Sequence, residues 1–163
     1  MKVLFLLIAA VIVAFDQLTK QLITRNMQLG ESNSIIENFL YITYHRNTGA
    51  AWGILQGQMI LFYIVTAITV IGIIIWYRKL NMRKERILAI GLMFVLGGAL
   101  GNFIDRVMYQ AVIDFIHTVW WGRHFPIFNV ADMALVSGMI LILFDVIIVD
   151  RKKSKDLYFK MDK

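Results

Sequence analysis

At 163 residues the chain is one domain's worth of protein, and 59% hydrophobic residues with a mean hydropathy of +0.67 make it too apolar for an ordinary soluble domain. It has no cysteine, which excludes disulfides, thiol nucleophiles and thiolate metal sites. A net charge of +6 would suggest nucleic acid if the basic residues shared a polar face; they sit instead at the ends of apolar runs, so no nucleic-acid partner is expected.

Four apolar runs, at about 3–23, 59–77, 87–104 and 130–149, match the roughly 20 residues that cross a bilayer. A buried soluble bundle would need more polar surface than the rest of the chain supplies. Most of the basic residues lie at one set of ends: Lys2 before the first run, Arg78, Lys79, Arg83, Lys84 and Arg86 between the second and third, and Arg151, Lys152, Lys153, Lys155, Lys160 and Lys163 after the fourth. The positive-inside rule therefore predicts cytoplasmic termini, a cytoplasmic segment at 78–86, and outward segments at 24–58 and 105–126.

The first run opens like a secretory leader, with Lys2 and an apolar core. It continues without a break into DQLTK (16–20), which favours a retained helix. Asp16 and Lys20 are four apart and share a helix face. The spacing alone reads as a structural ion pair; ordering of a site is the alternative.

Segment 34–45 is rich in β-branched and aromatic residues and predicts one or two surface strands. NTGAAWG (47–53) follows, its small residues suited to close backbone approach. Asn47 reads as a turn residue or as a substrate contact. The second run carries no ionisable residue before its basic end and reads as scaffold.

The third run ends in GGALGNFIDR (97–106), a small-residue surface suited to tight helix packing in a membrane. Asn102, Asp105 and Arg106 lie on one helix face, so an Asp105–Arg106 pair closing the helix is expected, with a hydrogen-bonding shelf beside a site as the functional reading. Segment 109–125 is amphipathic, with Trp120, Trp121 and Phe125, and predicts a short helix or strand lying on the outer leaflet. Asp114 stands in it between apolar neighbours, which disfavour its charged form. After Pro126, Asn129 and Asp132 have the spacing of a helix capping box, and such a start would also fix Asp132 in place. Asp145 lies near the other end and receives no role.

A carboxylate at the middle of a membrane helix costs about 2.5–3.5 kcal/mol, so acidic residues in or beside these runs need a reason. The serines lack a nucleophile elbow, and His45, His117 and His124 show no HExxH pair, so neither serine chemistry nor a metal is expected. Two carboxyls sharing a site hold a proton between them. The ionised one takes a proton from water and the neutral one polarises a carbonyl, as in aspartic peptidases. Asp114 and Asp132 are the candidate pair. A proton-coupled transporter subunit, or a structural membrane protein held by polar contacts, is the alternative.

Taken in order, DQLTK, NTGAAWG, GGALGNFIDR, VIDF (112–115) and FNVAD (128–132) closely resemble the lipoprotein signal peptidase (signal peptidase II) family. The resemblance implies an all-α integral membrane protein of one membrane domain, with four transmembrane helices, a small extracytoplasmic β-cradle and a short interfacial helix. It implies an aspartic endopeptidase of the bacterial cell membrane, without cofactor, that removes signal peptides from prolipoproteins once a diacylglyceryl group is on the lipobox cysteine. In that family the VIDF and FNVAD aspartates are catalytic, hence Asp114 and Asp132. Asn47, Asn102, Asp105, Arg106, Asn129 and Asp16, with its neighbour Lys20, are the supporting polar positions. The expected partners are the lipidated substrate, membrane lipid and a cyclic peptide antibiotic of the globomycin type, and a monomer is expected.

Overall fold

The structure is a computed structural model that describes residues 2–50 and 54–149. Expectations for Ala51–Gly53 of the NTGAAWG motif and for the basic tail from 150 onward fall outside the described residues. The elements run α1 (Lys2–Asn26), β1 (Ser32–Ile36), β2 (Leu40–Asn47), α2 (Met59–Lys79), α3 (Arg86–Tyr109), β3 (Val112–Trp120), β4 (Arg123–His124) and α4 (Val130–Phe144), which runs on into a π-helical turn at Asp145–Val149. Among the described residues, four helical segments are long and apolar enough to cross a membrane: Val3–Asn26, Met59–Lys79, Arg86–Tyr109 and Val130–Ile147.

α3 is the central helix and packs against α1, α2 and α4. Leu88, Ala89, Leu92, Met93 and Leu96 are buried in the core, where Ala9, Ile73 and Tyr77 join them. The outward faces stay apolar: Val11, Phe15, Leu18 and Leu22 on α1, Ile60, Ile64, Ile68 and Ile71 on α2, and Val136, Met139, Ile140 and Leu143 on α4 are exposed. In water this would be a liability; in lipid it is the surface that hydrocarbon requires. The predicted small-residue surface works as backbone contact. A Cβ added to Gly101 would stand 2.6 Å from Asp16 Oδ2 and 3.2 Å from Ala131 Cβ, so a glycine here lets α1, α3 and α4 converge at one point.

The strands form one antiparallel sheet in the order β1-β2-β3-β4. Of the one or two strands expected in 34–45, two are present, β1 and β2. Segment 109–125 takes the strand of its two expected forms, a correction to the helix form of that segment alone: its central part is β3, the nine-residue partner of β2, followed by the short return β4. The physical reason is β2 itself, whose open edge needs a pairing strand that a surface helix would not supply. α3 ends where Gln110 takes a left-handed backbone conformation (φ 52°) and its N–H caps the Arg106 carbonyl, which turns the chain directly into β3.

Candidate functional site

β2 and β3 place Asp114 by register, His45 opposite Asp114 and Asn47 opposite Val112. Asp114 is only 2% exposed. Its Oδ2 accepts from Asn47 Nδ2 at 3.0 Å and its Oδ1 from Asn129 Nδ2 at 2.7 Å. Asn47 is the turn residue its sequence context allowed, and it also holds Asp114. Its Oδ1 accepts from the Gly49 N–H at 2.9 Å, an Asx-type turn that leaves its amide nitrogen for Asp114.

Segment 125–128 then runs back along β3. The Phe128 N–H donates to the Ile116 carbonyl at 3.0 Å, and the Phe128 carbonyl accepts from the Ile116 N–H at 2.8 Å. That return delivers Asn129 beside Asp114 at the moment α4 begins. The capping box is present: Asn129 Oδ1 accepts from the Asp132 N–H at 2.9 Å, and Asp132 Oδ2 accepts from the Asn129 N–H at 3.2 Å. Fully buried Asn129 thus touches both aspartates, one through its amide and one through its backbone. Asn102 completes the arrangement by donating Nδ2 to Asp132 Oδ1 at 2.8 Å and accepting from Asn129 Nδ2 at 3.1 Å.

Behind the asparagines lies a charged cluster. Lys20 Nζ donates to Asn102 Oδ1 at 3.0 Å and pairs with Asp16 Oδ2 and Asp105 Oδ2, each at 2.8 Å. Lys20 is 2% exposed and both carboxylates are fully buried. Asp16 Oδ1 accepts from the Ala131 N–H at 2.9 Å, and Asp105 Oδ2 from the Ile113 N–H at 3.0 Å, so the cluster ties α1 to the start of α4 and α3 to the start of β3.

The expected Asp105–Arg106 pair is a second correction. Asp105 turns inward to Lys20 of another helix, because a cation in the low-dielectric interior needs both carboxylates more than an interfacial arginine needs one. Arg106 instead stacks its guanidinium 4.4 Å from the centre of the Phe62 ring and donates to the Asn102 carbonyl at 3.4 Å. Gln17 went unnoticed in the sequence although it lies within DQLTK. Its Nε2 reaches Asp16 at 3.2 Å, the Gly101 carbonyl at 3.1 Å and Asp105 at 2.9 Å, bridging the two carboxylates that share Lys20.

Asp114, Asp132, Asn47, Asn102 and Arg106 line one cavity of about 570 Å³, closed on its other sides by apolar residues such as Phe128, Met133, Leu135 and Val136. All nine residues singled out in the sequence therefore fall in this cavity or in the network directly behind it. Burial, and then the neighbouring Asp132 carboxylate, push Asp114 up to about 7 against the opposing pull of the Asn47 and Asn129 amides. Near neutral pH the site therefore holds a proton and a negative charge in the same place, as general acid–base chemistry on a carbonyl requires.

Comparison with known proteins gives consistent findings. The model of the family described as Signal peptidase (SPase) II matches residues 8–148. A lipoprotein signal peptidase from Bacillus pumilus (strain SAFR-032) is 51% identical over 152 residues, 93% of this chain and 97% of the relative. Another from Geobacillus thermodenitrificans (strain NG80-2) is 58% identical over 140 residues, 86% of this chain and 87% of the relative. A bacterial membrane enzyme solved by the in meso method at 2.3 Å resolution superposes with a TM-score of 0.81 at 45% identity, covering 87% of this chain and 86% of that one.

Proposed function

The chain belongs to the signal peptidase II family and is a multi-pass bacterial membrane protein, and we propose that it cleaves the signal peptide from diacylglyceryl-modified prolipoproteins with Asp114 and Asp132 as its catalytic pair. The observation that carries the pair is its geometry: two carboxylates on one cavity, each oriented by asparagine amides, with Asn129 bonded to both.

In this reading the scissile carbonyl enters between the carboxyls. The ionised aspartate takes a proton from water as the water oxygen attacks the carbonyl carbon, and the protonated aspartate hydrogen-bonds the carbonyl oxygen as it gains charge. Collapse of the tetrahedral intermediate breaks the C–N bond, and a proton passes to the departing nitrogen. The signal peptide leaves with a carboxylate and the mature chain with a free amine on its lipidated cysteine. The asparagines keep both carboxyls in place without neutralising them, which lowers the reorganisation needed in the transition state.

The apolar wall of the cavity on α4 supports lipid recognition, since each acyl CH₂ buried contributes about 0.8 kcal/mol. The basic residues support cytoplasmic termini and an outward-facing sheet and site. The test is turnover by the purified full chain of one precursor with and without its diacylglyceryl group. Cleavage on the amino side of the lipidated cysteine, and much slower cleavage without lipid, is expected. No cleavage refutes the activity, and equal cleavage refutes the lipid selection. With no native cysteine, single cysteines at Asn33 and Asn81 read the orientation cleanly: the first labels from outside and the second from inside.

A further inference from the structure

We propose that a second cavity, beside the one holding the aspartates, receives the first residues of the mature chain and prefers acidic side chains there. The inference rests on the peptidase reading above and deepens it.

The second cavity, about 460 Å³, shares Asn47 and residues 125–127 with the first, so the two are neighbours on either side of the amide that holds Asp114. Its lining comes from the strands and their connecting loops, with no residue from the four helices, whereas the first cavity reaches down α4. A signal peptide is apolar and belongs on the helix side. The chain beyond the scissile bond must leave the membrane, and the sheet side is the way out.

The chemistry of this exit is one-signed. It collects all three histidines of the chain, His45, His117 and His124, together with Arg46, and no acidic residue lines it among the described residues. Arg46 is braced: its Nε donates to Tyr44 Oη at 3.0 Å, and its guanidinium lies 5.8 Å from the centre of the Tyr109 ring. His117 is held between Thr43 Oγ1, 3.1 Å from its Nδ1, and His124 Nδ1, 2.9 Å from its Nε2. The two contacts are open to the tautomer in which Thr43 donates to His117 and His117 to His124, and in that tautomer the exposed His124 ring offers an Nε2–H donor to an incoming anion. A carboxylate in the mature segment meets a fixed cation and N–H donors; a lysine meets only repulsion from Arg46.

The test uses three lipidated precursors that differ only at the second and third residues after the lipidated cysteine: two Asp, two Ser or two Lys. Their kcat/KM values are measured with the purified full chain at one pH, so that titration of the catalytic pair cancels in the ratios. We expect the acidic precursor to exceed the lysine one by about five- to twentyfold, chiefly in KM, the size expected of one or two screened ion pairs. The ratio falls toward one at high salt and in Arg46→Gln/His124→Gln. Should that double variant fail to fold, the single exposed His124→Gln, checked by its melting temperature, must still lower the ratio. A native ratio near one, or one favouring lysine, overturns the proposal while leaving the peptidase reading intact. A ratio unchanged in folded variants overturns the assignment to this cavity. Absence of cleavage for all three precursors overturns the peptidase reading and the subsite with it.

Discussion

Two pairs of aspartates, separated by a pair of asparagines, meet opposite surroundings. Asp16 and Asp105 share the Lys20 ammonium at 2.8 Å each, are capped by backbone N–H groups, and touch neither cavity. Asp114 and Asp132 receive neutral amides and one backbone N–H, and they face a cavity large enough for a peptide. A carboxylate whose charge is matched has no reason to react, whereas one held by dipoles alone stays available to a proton. Asn102 joins the two worlds, accepting from Lys20 and donating to Asp132, so the inner cluster fixes the outer one without discharging it.

The comparison is broken most directly by removing the outer charges. Asp114→Asn and Asp132→Asn keep size and shape, and each should lower turnover of a lipidated precursor by at least 10²–10⁴-fold. The double variant should be no worse than either single, because the two carboxyls act as one unit. All three should fold, since the inner cluster is intact, and melting temperatures read this. A folded single variant with near-normal turnover would sink the assignment.

Removing the inner cation should do the reverse and act on stability first. Lys20→Met leaves two buried carboxylates without their counter-charge, a loss of about 3–5 kcal/mol where one partner of a buried pair is deleted. The expected result is a large fall in melting temperature, with activity following the folded fraction. A variant that melts like the native protein would show that the cluster is not what holds α1, α3 and α4 together.

The outer pair also predicts a pH response. Asp114 keeps its proton to about 7 in the folded protein, against 3.8 for an ordinary aspartate. Turnover should therefore decline above about pH 7, approaching tenfold per unit, as the pair loses its shared proton. The stability linkage has the same sign: the folded state binds a proton between about 4 and 7 that the unfolded chain has released, so this contribution is full at low pH and is lost as pH rises through 7. Infrared absorption of the protonated carboxyl, assigned by Asp114→Asn, reads the titration. In Asp132→Asn it should move down without returning to 3.8, because burial is the larger cause and the Asp132 charge the second. A titration that ignores that substitution would mean that the two carboxyls do not interact.

What could be read in the sequence was what has a local period. Apolar runs set the helices, β-branched and aromatic residues set β1 and β2, and the three-residue spacing of Asn129 and Asp132 announced the capping box. The four-residue spacing of Asp16 and Lys20 gave a real pair, yet only half of it. The other half, Asp105, lies on another helix, and the local rule offered Arg106 as its partner instead. Gln17 had no signal at all. It stands next to Asp16 in the chain, but its partner Asp105 is 88 residues away, and only the approach of α1 to glycine-lined α3 makes the contact. Tertiary pairing likewise decided β3, whose aromatic, amphipathic stretch suits a surface helix as well as a strand until β2 lies beside it.

The smallest expected effect falls on Arg106, which follows Asp105 in the chain and faces the cavity of the outer pair. It lines the cavity that holds Asp114 and Asp132, yet its guanidinium lies over Phe62 and its hydrogen bond is to the carbonyl of Asn102 in its own helix. It cannot act as a proton donor, because guanidinium does not release its proton in proteins. Its place is to keep a positive charge near the pair while closing the end of α3 against α2. Arg106→Lys retains the charge but loses the flat stack and the fork of donors. A stacked cation of this kind contributes about 0.5–2 kcal/mol, so the variant should melt a few degrees lower. Turnover should fall only severalfold, with kcat affected more than KM if the charge serves the transition state. Arg106→Met, which removes the charge as well, should cost more in kcat than Arg106→Lys at similar stability. Equal kcat in the two variants would place Arg106 wholly with the structural cluster and leave the aspartates to work without it.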